Sequence, residues 1–154
     1  MKRHILLGLL LSAVTATAET APAAVTFEEG AVAQSLTGVA GDPAEGAKVM
    51  SNRALGNCVA CHTVSAMPDV AFQGNVGPSL DGAADRWEEA QLRGIVSDAK
   101  MTFDGSVMPS FYKTGPYIRP GDAFTGKAPE GELPPMLTAQ QIEDVVAYLL
   151  TLKE

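Results

Sequence analysis

The sequence is poor in several residue types that whole classes of protein require. It has only 2 cysteines among 154 residues, too few for a disulfide-rich scaffold. Charged residues make up 19%, below the roughly 25% usual for globular chains, which excludes a disordered, charge-driven protein. The net charge of −7 excludes nucleic acid as a partner, because binding phosphates requires a cationic face. Aromatic residues account for only 6%, so we expect something besides large side chains to fill part of the core.

The first 18 residues have the pattern of a secretory signal peptide. Lys2 and Arg3 precede an apolar run over 5–14, and small residues follow it. This run is far shorter than the roughly 20 residues that span a bilayer, so we expect cleavage before Glu19 and no membrane anchor. The mature protein would then be periplasmic, with nine basic and 18 acidic residues and a net charge of −9.

The remainder is expected to divide into an arm and one domain. Residues 19–41 are small, weakly patterned and without helix caps, which predicts an extended N-terminal arm, either loose or laid on a partner. The domain is expected over 42–154. No alternating pattern is long enough to indicate a strand, and stretches rich in glycine and proline lie at 64–84 and 102–136. The sequence therefore predicts an all-α fold with long loops, which are unusual in a compact domain unless they wrap something.

Three helices are predicted from capping residues and apolar spacing. The first is capped by Asp42, has proline at its first position, and should end near Gly56. The second is expected to start at Asp85. The last is capped by Thr138, and Gln141 three residues later completes a capping box.

Both cysteines and the only histidine of the mature chain lie in one pentapeptide. Cys58, Cys61 and His62 form C-x-x-C-H, the haem-attachment motif, which would arise by chance in about 1 in 10⁴ shuffled chains. The spacing lets two thiols reach the two vinyl groups on one haem edge, and lets the imidazole reach the iron. A thioredoxin-type pair would need a βαβ pattern, a structural zinc site needs four ligands, and a plain disulfide leaves His62 unexplained. We therefore expect one covalently bound haem c.

The second axial ligand of this haem is expected to be a methionine. No other histidine remains and both thiols are used, while His/Met ligation raises the potential into the range of an electron carrier. Met108 is favoured because the proline after it fixes an extended backbone that can present a side chain. Met136 and Met101 remain alternatives on local features, whereas Met50 lies on a helical stripe and is expected in the core.

These motifs resemble class I cytochromes c over the whole predicted domain. Besides the cysteine motif, the resemblance is carried by residues 77–80 (Gly-Pro-Ser-Leu), the Met-Pro pair at 108–109 and the last helix. It implies a class I cytochrome c-like fold, in which long loops wrap the haem. The first and last helices would cross at small residues, with Gly46 near Tyr148 and Leu149. The Pro78 carbonyl would accept a hydrogen bond from His62 and orient its ring.

Within these cytochromes the sequence resembles the SoxX family, the mono-haem subunits of the SoxAX cytochromes of bacterial sulfur oxidation. The resemblance is carried by residues 75–82, 107–112, 115–135 and 136–149. It implies that Met108 is the second axial ligand. SoxAX proteins act as an L-cysteine S-thiosulfotransferase, which oxidatively couples thiosulfate to a cysteine of the carrier SoxYZ. The implied partners are a di- or mono-haem SoxA-type subunit in a heterodimer, SoxYZ through that complex, and a downstream electron-acceptor cytochrome.

The residue inventory limits what the chain can contribute to such a reaction. After thioether formation it keeps no free thiol and no free imidazole, so we expect it to transfer electrons without being catalytic itself. The SoxA-type partner would carry the sulfur chemistry. The alternative is a free-standing periplasmic electron shuttle; residues 19–41 and 113–136 favour the subunit, because a shuttle gains little from extra surface. Trp87 is expected either to donate to a haem propionate or to anchor its helix.

Overall fold

The computed structural model describes residues 18–118, 120 and 126–154. The predicted signal peptide, apart from Ala18, and part of the segment at 113–136 therefore lie outside the described residues. The described helices are α1 (Pro43–Ser51), α2 (Ala83–Arg86), α3 (Glu89–Asp98) and α4 (Ala139–Leu149), with 3₁₀ turns at Pro22–Ala24, Cys58–Ala60 and Ala99–Met101. Within these ranges, β pairing is limited to one isolated bridge between Glu28 and Ala31. The predicted all-α fold with long loops is confirmed.

Helices α1 and α4 cross at a glycine, as the resemblance implied. A Cβ added to Gly46 would lie 2.0 Å from the Asp144 carbonyl oxygen and 2.9 Å from the Tyr148 Cβ. The two helix backbones can approach this closely only because position 46 has no side chain. The main core packs around α1, α3 and α4, and its members include Val49, Met50, Leu92, Val96, Ile142, Val145, Val146 and Leu149. Met50 is therefore a core residue, as its spacing predicted.

The first helix starts where the sequence predicts and ends earlier. The Asp42 side chain accepts a hydrogen bond from the Ala44 N–H at 2.8 Å, which caps the start of α1. The helix ends at Ser51, and the backbone becomes extended at Asn52, instead of near Gly56. Asn52 turns the backbone by accepting the Ala54 N–H with its own side chain at 2.9 Å, which competes with continued helix.

The predicted start of the second helix at Asp85 was wrong, whereas the predicted start of the last helix at Thr138 was right. Trp87 is extended, with φ −137° and ψ 137°, and separates α2 from α3, which is capped by Glu88 instead of Asp85. The Trp87 ring packs edge-on against Phe103 with centroids 5.8 Å apart, which supports its role as an anchor. At α4 both halves of the predicted capping box are present between Thr138 and Gln141.

Residues 19–41 pack on the domain's own core, which corrects the prediction of an arm that is loose or laid on a partner. Val32 and Leu36 are buried in that core. The Leu36 N–H donates to Glu143 Oε1 at 2.6 Å, and the Val32 N–H donates to the Ala90 carbonyl at 2.8 Å. Val32 and Leu36 lie in a segment of small residues without helix caps, which gave no sequence signal of this burial. The segment therefore no longer argues for a docked partner.

A buried ion pair connects this N-terminal segment to α3 and α4. Arg93 Nε donates to Glu143 Oε1 at 2.9 Å, and Arg93 Nη2 donates to Glu143 Oε2 at 3.1 Å. The same guanidinium donates to the Val32 carbonyl at 3.0 Å and pairs with Glu89. Both members of the central pair have their remaining hydrogen-bonding atoms occupied, which a buried charge pair requires.

Candidate haem site

The cysteine motif is folded into one tight turn. Cys58 begins a 3₁₀ turn, and its carbonyl accepts the N–H groups of Cys61 at 3.1 Å and His62 at 3.0 Å. The turn is entered through Asn57 in the left-handed region, at φ +46°. The two cysteines are not joined by a disulfide, and Cys58 is half-buried while Cys61 is exposed.

The ring of His62 is hydrogen-bonded to a backbone carbonyl. His62 Nδ1 lies 2.7 Å from the Pro78 carbonyl oxygen, which can only accept, so Nδ1 carries the proton. In the neutral ring Nε2 then carries the lone pair, and no hydrogen bond to it is found among the described residues. An imidazole in this tautomer is ready to bind a metal through Nε2. The structure thus has the Pro78 contact that the resemblance implied.

Two glycines let the loop after the motif lie directly on it. A Cβ at Gly77 would lie 2.2 Å from His62 Cε1, and one at Gly74 would lie 2.0 Å from the Ala60 carbonyl oxygen. The backbone closes these contacts with hydrogen bonds from Gly77 N–H to the Cys61 carbonyl and from Gly74 N–H to the Val59 carbonyl, both 2.8 Å. This packing fixes both the turn and the imidazole plane.

Polar side chains that the sequence analysis missed stiffen the same loop. Gln73 accepts the Val64 N–H at 2.6 Å and donates to the Met67 carbonyl at 2.8 Å. Asp81 accepts the Ser65 hydroxyl at 2.7 Å and the Ser65 N–H at 2.8 Å, and these hydrogen bonds lower the pKa of its carboxyl group. The partners are 9 and 16 residues apart, so no local pattern could have revealed them.

Among the candidate ligands, Met108 has the most enclosed surroundings. It is half-buried and packs against the core, whereas Met136 and Met101 are 53% and 51% exposed. Lys100 Nζ donates to the Met108 carbonyl at 2.6 Å, and the Met108 N–H donates to the Ser106 hydroxyl at 3.3 Å. The backbone on both sides of this methionine is therefore tied to its own loop.

This donor set fits a covalently attached haem. Two cysteines lie one turn apart, His62 uses Nδ1 for the bond to Pro78 and leaves Nε2 for a metal, and the glycine-lined loop fixes that ring. No group of three or more His, Cys, Asp or Glu side chains could hold a bare metal ion in the part of the chain that the structure describes. The alternative of a structural zinc site therefore has no support there.

Comparison with known proteins decides the family. The sequence profile of cytochrome c matches residues 43–153. The chain belongs to the cytochrome c family. The structure of this cytochrome c is similar to a chain in the crystal structure of SoxXA from P. pantotrophus, with a TM-score of 0.86 and 62% sequence identity. The match covers 89% of this chain and 100% of that chain.

These comparisons confirm two predictions made from the sequence. The resemblance to SoxX is confirmed, and so is the cofactor, one covalently bound haem c. No curated protein matches this cytochrome c. No helix among the described residues is long and apolar enough to span a membrane.

Proposed function

We propose that this cytochrome c is the electron-transfer subunit of a SoxAX-type L-cysteine S-thiosulfotransferase, and that it works in the periplasm after cleavage before Glu19. The observation that carries the proposal is the 62% identity to a SoxXA chain over that chain's full length. The partner would be a SoxA-type cytochrome, SoxYZ would carry the sulfur substrate, and a further cytochrome would accept the electrons.

In this proposal each residue of the site has a defined role. Cys58 and Cys61 would hold the haem through thioethers, and His62 and Met108 would bind its iron. The Pro78 carbonyl orients the imidazole by accepting a hydrogen bond from Nδ1–H, and this bond makes Nε2 a better electron-pair donor to a metal. The bound haem supplies a one-electron couple, whose potential His/Met ligation raises into the range of electron carriers.

The division of labour follows from the chemistry of the coupling. Joining thiosulfate to a carrier thiol forms a sulfur–sulfur bond and releases one proton and two electrons. With Cys58 and Cys61 bound as thioethers, this chain has no thiol left to exchange with the carrier. The sulfur chemistry therefore falls to the SoxA-type partner, and this chain passes the two electrons on one at a time.

An apolar surface beside the cysteine motif supports contact with another protein. Phe72 is 92% exposed and Val76 is 71% exposed, on the loop whose backbone bonds to the exposed Cys61. Phe72 also adopts φ +61°, an unfavourable conformation for a bulky side chain. Strain of this kind is found preferentially at functional sites, and an aromatic ring held in solvent there is suited to docking.

Co-purification tests the subunit assignment. The tagged chain, isolated from its source, should bring down a larger haem protein in equal amount. Phe72→Asp should lose that partner and keep its own haem, while Val39→Asp, at a residue 60% exposed on the N-terminal segment, should retain both. Elution of the unaltered chain alone, at monomer size, would favour the free-standing shuttle. Retention of the partner by Phe72→Asp would remove the docking role of that residue and leave the subunit assignment intact.

A further inference from the structure

A buried carboxylate at the end of α3 joins the two ends of the segment that carries Met108. The Asp98 side chain is 11% exposed. Its Oδ1 atom accepts the Lys100 N–H at 3.2 Å and the Ser110 hydroxyl at 2.7 Å, and its Oδ2 lies 3.5 Å from Lys113 Nζ. One donor thus precedes Met108 in the chain and two follow it. We call residues 99–110 the ligand loop.

Other hydrogen bonds show that this loop is a closed unit. The Tyr112 N–H donates to the Ser97 carbonyl at 3.0 Å, directly behind Asp98. Within the loop, Lys100 Nζ donates to the Met108 carbonyl at 2.6 Å. The Asp98 carboxylate therefore bonds to the residue whose ammonium group holds Met108, and also to the second residue after Met108.

Asp98 is ionised at neutral pH. Burial acts to raise its pKa, but the hydrogen bonds from Ser110 and the Lys100 N–H, with the charge of Lys113, outweigh burial and lower the pKa below its usual value. Its hydrogen bonds are therefore charge-assisted, and hydrogen bonds to a charged group are stronger than those between neutral groups.

We propose that Asp98 is a positioning residue for Met108. Asp98 keeps the ligand loop closed, so that the sulfur of Met108 stays bound to the iron. The inference rests on the proposed ligation by Met108. Opening of the loop requires Ser110 and Lys100 to leave the carboxylate. Removing Asp98 therefore raises the fraction of molecules in which the methionine has dissociated and an external ligand can bind.

Titration of the oxidised holoprotein with imidazole measures that open fraction. Asp98→Ala should raise the apparent imidazole affinity about tenfold or more, and Ser110→Ala should raise it by a smaller factor. Ser110→Thr, which keeps the hydroxyl, should restore the original affinity. The matched control is Thr138→Ala, which removes the cap of α4 and lowers stability without touching the loop. It should change the imidazole affinity less than about twofold.

The outcomes separate failure of the inference from failure of the ligation. Met108→Ala should abolish the far-red charge-transfer band of methionine-ligated ferric haem; if the band persists, Met108 is not the ligand and the inference falls with it. If the band is lost but Asp98→Ala binds imidazole no better than Thr138→Ala, only the role of Asp98 is overturned. Should Asp98→Ala fail to fold, the comparison of Ser110→Ala with Ser110→Thr decides, because equal imidazole affinities of those two variants contradict the positioning role of Asp98.

Discussion

At the scale of single residues, the geometry of His62 depends on groups that have no side-chain chemistry of their own. The Pro78 carbonyl orients the ring by accepting a hydrogen bond from Nδ1–H, with an N···O distance of 2.7 Å. Gly77 fixes the ring plane, since its bare Cα leaves room for an imidazole that a Cβ would meet at 2.2 Å. The iron-binding nitrogen is therefore aimed by loop backbone as much as by the motif in which it lies.

Gly77→Ala should disturb this arrangement. The added methyl group cannot share the space of the His62 ring, so the ring or the loop must shift, and we expect the free energy of unfolding to fall by about 1–3 kcal/mol. The g-values in the electron paramagnetic resonance spectrum of the oxidised protein should change as well, because they depend on the orientation of the axial imidazole. The neighbouring exposed Val76→Ala serves as the control. Unchanged g-values and unchanged stability in Gly77→Ala would show that the loop does not set the ring plane.

The haem motif was predictable because its chemistry is local in the chain. Cys58, Cys61 and His62 must be close in sequence to serve one edge of a haem, so their spacing alone identifies the cofactor. Gln73 and Asp98 were not predictable, because each acts through backbone or hydroxyl groups that only the folded loops bring near. The sequence likewise held no signal for the strained backbone of Phe72.

At the scale of elements, the site is supported by the crossing of α1 and α4. Six residues separate α1 from the turn that carries the cysteines, and Gly46 sets how closely α1 lies on α4. The starts of α1 and α4 were predictable from Asp42 and Thr138, since a cap uses groups within three residues. The interruption at Trp87 was not predictable from local spacing, and the Trp87 ring packs against Phe103, which lies beyond the far end of α3.

Gly46→Val should force the two helices apart. Any Cβ here would lie 2.0 Å from the Asp144 carbonyl oxygen, which belongs to the α4 backbone and cannot move independently. We expect denaturant titration of the holoprotein to show a loss of about 1–3 kcal/mol or more. Ala44→Val on the exposed side of α1 is the matched control and should stay within about 0.5 kcal/mol. Equal effects of the two substitutions would mean that the close crossing is not what stabilises the helix pair.

At the scale of the whole molecule, the N-terminal segment and the domain behave as one folded unit. The buried pair of Arg93 and Glu143 is one connection between them. Tyr112 of the domain is another, since its hydroxyl hydrogen-bonds to the Thr20 carbonyl at 2.7 Å and to Glu19 at 3.1 Å. The sequence separated the segment from the domain because its residues are small, weakly patterned and without helix caps. Its burial is a tertiary property, which depends on side chains about 60 to 110 residues away.

The tyrosine contact predicts how stability depends on alkaline pH. Burial, together with the hydrogen bond to Glu19, raises the pKa of Tyr112 to about 12, against about 10 in an unfolded chain. Between these values the unfolded chain has lost a proton that the folded chain retains, so the free energy of unfolding falls as pH rises through this range. Denaturant titrations from pH ~9 to ~12 should show a smaller fall for Tyr112→Phe. Tyr148→Phe is the comparison, because burial also raises the pKa of Tyr148. An equally steep fall in Tyr112→Phe would contradict the assignment to this contact.

The central claim is that this cytochrome c takes electrons from sulfur chemistry performed elsewhere. The most direct measurement mixes the oxidised chain with its SoxA-type partner, SoxYZ and thiosulfate, and follows the far-red band assigned to Met108 ligation. We predict that the band disappears rapidly in the complete mixture and persists when the partner or SoxYZ is left out. Equally rapid loss with thiosulfate alone, or persistence of the band in the complete mixture, would contradict the account.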